Sequence, residues 1–278
     1  MAELERPTIK WKVIAQIGAV FVLLWGLAIG LEPYMGYWGI VGASVLTLVA
    51  VGFGLYVWRL TRKSAGIIDI LKTATDEAGR KAALEKLEQS AGSNDAMNAL
   101  ARAQLMAQES PKEAIEILES VDVKKAPGVV QDDVRANLAL LYLMTNRVRD
   151  ARPLADEIRL DRQPQPKAKA LYAAVCAEAF ARTGKADEAK KLLETYDAGD
   201  AAYGEMRAML YRAQVFTFNA TKNKGLAKKA MESLAGIDTN MLAAFVVKGT
   251  DPTLHQMAKQ LLLTSGAIPK QKIRIKMS

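Results

Sequence analysis

Catalysis needs polar groups that converge, and the side chains best suited to it are scarce in this chain. Cys176 and His255 are the single cysteine and the single histidine of 278 residues. A nucleophilic thiol needs a base or a cation beside it. Cys176 instead sits in the run AAVCAEA, the setting of a small buried side chain, and His255 falls in a separate helical segment. One cysteine and one histidine exclude an intrachain disulfide and the usual Cys/His zinc patterns. The cysteine count suits a reducing compartment. The chain carries no phosphate loop, dinucleotide fingerprint or HExxH helix. The acidic run at 113–119 alternates with apolar residues at helical spacing, as a solvated helix face does. No catalytic, cofactor-binding or metal-binding residues are therefore expected, and no enzyme.

The remaining chemistry is basic charge. The net charge is +8, and ten basic against three acidic residues lie in residues 218–278. Lys222, Lys224, Lys228 and Lys229 cluster in one turn and helix; Lys270, Lys272, Arg274 and Lys276 follow in the tail, alternating with Ile273, Ile275 and Met277. Such a tail fits an anionic lipid surface, at about 1 kcal/mol per nearby cation, or an acidic protein partner. No nucleic-acid motif accompanies it and aromatics are sparse there, so nucleic acid is not an expected partner. Nor is a small-molecule substrate.

What positions these residues is a pattern written twice between residues 131 and 196. Ala139, Tyr142, Asn146 and Ala151 recur 38 residues later as Ala177, Phe180, Gly184 and Ala189. Ala114 precedes Ala151 by 37 residues, and Ala227 follows Ala189 by 38 across an expected short insertion near residues 221–224. Two amphipathic helices joined by a turn cannot bury their shared apolar face alone, so such units stack. Small residues sit where helices approach closely, and the aromatic fills the space beside them.

The pattern resembles the tetratricopeptide repeat family, without the Trp and Pro of its full consensus. The resemblance implies an α-solenoid that binds another protein along the first helix of each pair. Its register places Asp133, Asn137 and Leu140 there, with Ala136 and Leu143. Glu178 and Arg182 follow from the next repeat, with Ala174 and Val175, then Arg207, Tyr211 and Gln214. Some relatives clamp a C-terminal carboxylate with an Asn and a basic pair. Asn137 matches, but Leu171 and Val175 stand where the basic pair belongs.

The fold class expected is all-α: a two-helix transmembrane hairpin, then a solenoid of four to five helix pairs. The divisions are a short N-terminus (1–10), the hairpin (11–60), membrane-proximal helices (61–93), the solenoid (94–266) and the basic tail (267–278). Within the solenoid, Pro127-Gly128 reads as the stop of a loop, and Arg102 replaces the small close-packing residue in the first pair.

The hairpin rests on two apolar runs, residues 13–31 and 35–58, interrupted by Glu32-Pro33-Tyr34. Nineteen helical residues span roughly 28 Å, close to a bilayer's hydrocarbon thickness. A cleaved signal peptide is the rival, though the first run exceeds a signal core and the second would still anchor the product. Arg6, Lys10 and Lys12 precede the runs and Arg59, Arg62 and Lys63 follow them, so both ends belong in the cytoplasm. A bacterial inner membrane is the expected location. Gly26 and Gly30 in the first run, and Gly39, Ala43, Ala50 and Gly54 in the second, form stripes of small residues. Such stripes let membrane helices approach closely, either each other or another membrane protein. The expected function is a membrane-anchored adaptor holding a protein partner; the alternative is an accessory or assembly subunit of a membrane complex.

Overall fold

The fold was obtained as a computed structural model, which describes residues 11–265 except 31, 32, 34–36, 75, 90–94, 108 and 248. The side chains of residues 11–15, 17, 53, 56–58, 60–65 and 68 also lie outside the description, as does the basic tail. Every regular element described is helical. The chain divides into two compact units, Met1–Leu87 and Glu88–Ser278.

In the first unit, α1 (Trp11–Gly30) packs on the long α2 (Trp38–Lys72). The contacts run antiparallel. A Cβ on Gly39 would come 3.3 Å from the Ala28 carbonyl oxygen, and the Trp25 indole N–H donates to Thr47 Oγ1 at 3.1 Å. Ala28 and Ala43 are buried at this contact. Among the described residues no helix is long and apolar enough to cross a membrane. The two expected spans include many side chains outside the description. The helix runs unbroken across the expected boundary at residues 60–61 and stops at Thr73. Next, Asp76 accepts the Gly79 N–H at 2.7 Å and starts α3 (Glu77–Gln89).

The second unit is a stack of helix pairs: α4 (Ala96–Met106) with α5 (Pro111–Glu119), α6 (Gly128–Met144) with α7 (Val148–Glu157), α8 (Pro166–Arg182) with α9 (Ala186–Thr195), and α10 (Met206–Ala220) with α11 (Lys224–Ile237). A last helix, α12 (Pro252–Thr264), follows the 3-10 segment Thr239–Phe245. Ala114, Ala151, Ala189 and Ala227 are each 0% exposed, so the spacing of 37–38 residues marks the same close helix contact four times. First helices touch one another in succession (α4–α6, α6–α8, α8–α10), whereas second helices make no comparable contacts with each other among the described residues. The first helices are therefore the inner layer of a solenoid and the second helices the outer one.

The turns repeat as closely as the helices. Asn146, Gly184 and Lys222, 38 residues apart, have φ of 64°, 89° and 60°. The N–H after each bonds back to the carbonyl of Tyr142, Phe180 or Phe218, at 2.7, 2.9 and 2.8 Å. This left-handed ending satisfies the last carbonyls of each first helix. The turn before α11 is thus the same length as the other two, and the expected insertion near residues 221–224 is absent. Pro127 and Gly128 also differ from expectation: Pro127 precedes and Gly128 begins α6, because a Pro that cannot continue one helix can open the next.

Arg102 breaks the first pair's pattern. Its guanidinium reaches Glu88 at 2.9 Å, and a cavity of about 400 Å³ lies beside it, lined in part by Met106, Ile117 and Val121.

Candidate partner-binding face

The inner layer is built from the first helices, and α6, α8 and α10 bring the candidate side chains together. Glu178 of α8 is 1% exposed and Arg212 of α10 is 2% exposed. Arg212 grips both carboxylate oxygens, Nε to Oε2 at 2.8 Å and Nη2 to Oε1 at 3.0 Å. Arg182, one turn beyond Glu178, adds a bond to Oε1 at 2.9 Å. It also donates to the Leu143 carbonyl at 3.1 Å and to the Asn146 side chain, both at the end of α6. Its guanidinium lies 4.6 Å over the Phe216 ring of α10. Burial raises the Glu178 carboxyl pKa, but Arg212 and then Arg182 more than offset this and hold it below the usual range. The cluster ties three successive pairs into one rigid face.

A second junction joins α6 to α8. Tyr172, 1% exposed, donates its hydroxyl to Asp133 and accepts from Gln163 Nε2 at 3.0 Å. Burial, and then the neighbouring charge of Asp132, push Asp133 up to about 6. Asn137 donates its amide N–H to the Asp133 carbonyl at 2.8 Å, and Leu140 is half-buried beside it.

The native state thus holds the Asp133 proton more tightly than the unfolded chain does. Stability from this site is full below about pH 4 and is lost as pH rises through about 6. Asp133→Asn should therefore raise stability by about 1–2 kcal/mol at pH 7.5, with little effect near pH 4. The gain stays below the full shift because the Tyr172 hydroxyl favours the charged form. Urea midpoints at the two pH values check this; an equal effect at both would mean that Asp133 titrates normally.

Of the remaining positions, Arg207 is engaged elsewhere, donating to the Ala198 carbonyl at 2.8 Å. Tyr211 and Gln214 are half-buried and make no side-chain hydrogen bond among the described residues. The structure brings Arg212 and Phe216 into the cluster in their place. The signal was available: the 38-residue period carries Ala174 and Glu178 to Arg212 and Phe216. Cys176 faces the other way, its Sγ 3.6 Å from the Ala155 carbonyl, and burial pushes its thiol up to about 12. Among the described residues no cluster of acidic, His or Cys side chains could hold a metal ion.

In the first unit, Gly39 and Ala43 lie at the α1–α2 contact and Ala50 is half-buried, while an added Cβ on Gly26, Gly30 or Gly54 would meet nothing within 4 Å. Lys270, Lys272, Arg274 and Lys276 lie outside the described residues.

Residues 105–175, from the end of α4 into α8, match the tetratricopeptide repeat family. The match includes the α6–α7 pair and the turn at Asn146. No curated protein and no solved structure matches the chain. Tetratricopeptide repeats indicate a protein–protein interaction scaffold, generally without catalysis of its own.

Proposed function

We propose that this chain is a membrane-anchored scaffold that holds a partner protein at the cytoplasmic face of a bacterial inner membrane, with α1 and α2 as the anchor. The scaffold function is carried by the inner layer of first helices at 105–175, the stretch that matches the repeat family. The anchor is supported by apolar side chains that nothing in the first unit covers. Val22 is 73% exposed on α1 and Leu48 72% on α2. Exposed apolar surface of this extent is the mark of a lipid or protein contact. The basic residues flanking both runs orient it.

A cysteine placed at Glu32, in a Cys176→Ser background, should react with an impermeant thiol reagent in intact cells, and one at Asp197 should not. The reverse labelling would overturn the cytoplasmic assignment; loss of the chain from the membrane fraction at alkaline pH would overturn the anchor.

A second function is favoured by Gly26, Gly30 and Gly54, at each of which an added Cβ would meet nothing within 4 Å, so that another membrane helix could approach closely. The chain would then be an integral accessory or assembly subunit of a membrane complex. Partners recovered in detergent at stoichiometric amounts and resistant to salt would favour the subunit, and substoichiometric ones the adaptor. The basic tail would contact anionic lipid or an acidic protein; vesicle binding lost on deleting residues 267–278 would support the former.

A further inference from the structure

The inner face is not open along its whole length. Between α11 and α12 the chain runs through Thr239–Phe245 and on to Asp251, and this strap touches the inner layer at two separated places. Phe245 is 0% exposed, and its ring stacks on Phe216 with centroids 5.0 Å apart and planes at 27°. Phe216 belongs to the column Leu140, Glu178, Phe216, each 38 residues after the last. Four residues beyond Phe245, Gly249 meets the second pair: a Cβ there would lie 2.7 Å from Asn146 Nδ2. Arg182 of the third pair joins these two places, through its bond to Asn146 and its position over Phe216.

The strap is unlike the rest of the stack. Asn240, Ala243, Val247 and Gly249 are exposed, and Leu242 and Phe245 are its buried anchors. Gly249, at φ +92°, permits the bend that brings the strap back. Met241 and Val246 pack against the same core, yet 3-10 turns hold a segment less firmly than an α-helix, so the strap can open while the helices under it stay folded.

We propose that residues 239–247 and 249–251 are an intramolecular occupant of the partner-binding face, and that the partner segment competing with them presents an aromatic side chain to the place filled by Phe245. The identity of the competitor rests on the scaffold function proposed above; the opening of the strap does not. An occupant held in cis lowers a partner's apparent affinity in proportion to the closed fraction. Binding would therefore report on anything that shifts the strap.

The test uses the full chain and, as probe, a synthetic peptide of residues 239–250. Phe245→Ser should vacate the place beside Phe216, and the peptide should bind this variant at least tenfold more tightly than wild type. A peptide carrying Phe245→Ala should not bind it. Because Phe245→Ser also removes a core contact, Gly249→Val gives an independent arm. A branched side chain at that φ, pressed on Asn146, disfavours the closed strap without deleting any core atom. Amides of residues 242–250 should then exchange at least tenfold faster, with α6 and α8 unchanged. Exchange rising equally in α8, α10 and the strap, or a vacated place that ignores the peptide, would overturn the proposal. Failure of the scaffold function would appear elsewhere, as no protein recovered with the chain, and would leave both measurements as they are.

Discussion

Glu178→Ala should be the most destabilising single change on the inner face, costing about 3–5 kcal/mol. The loss exceeds that of a hydrogen bond because Arg212, 2% exposed, would remain as a buried charge with no counter-ion. At roughly 2–4 °C per kcal/mol for a domain of this size, the melting temperature should drop by about 10 °C. The pairing need not be better than an apolar contact. Glu178→Met combined with Arg212→Leu removes both charges at similar volume and should recover most of the stability. If the double change is as damaging as the single one, shape at this junction matters more than charge. Acid gives a second check. The Glu178 carboxyl is held below its usual range by Arg212 and Arg182 despite burial. The stability it contributes is therefore present above about pH 4.5 and is lost as pH falls through its native pKa. Wild type should lose stability there, and the double variant should not lose this part.

The repeat was legible because spacing alone carries it. Ala114, Ala151, Ala189 and Ala227 mark one contact, where each is fully buried and a large side chain would push the two helices apart. Asn146 and Gly184 were legible as turn residues since both accept a left-handed backbone. Lys222 was not: lysine has no such preference, and the neighbouring pairs over-determine its conformation, so the turn looked like an insertion. Glu178 was placed on the inner face by the family register, yet helical spacing cannot tell a solvated Glu from one enclosed by two arginines. The enclosing partner, Arg212, comes from a helix 34 residues away. Phe245 lies in a segment with no period at all, so only tertiary structure could set it on Phe216. Arg102 stood out in the sequence as an exception and is one in the structure, where a cavity opens beside it.

The register itself has a direct test at Ala177, which is 0% exposed in the middle of α8. It belongs to a core shared by α8, α9, α10 and α11, with Ala189, Leu210, Ala213 and Leu234 among its members. A core at native density has no void to receive an indole, so the helices would have to move apart. Ala177→Trp should cost about 1–3 kcal/mol or more, a fall of roughly 5 °C or more in melting temperature at the same scale. Ala139→Trp, at the equivalent place one repeat earlier and also 0% exposed, should behave alike. Glu188→Ala is the control, since its pair with Lys185 at 3.3 Å leaves both side chains about half exposed. An exposed pair of that kind contributes about 0–1 kcal/mol, so its melting temperature should barely move. Equal and small effects at all three positions would mean that the alanines do not sit at helix contacts, and the 38-residue register would fall with them.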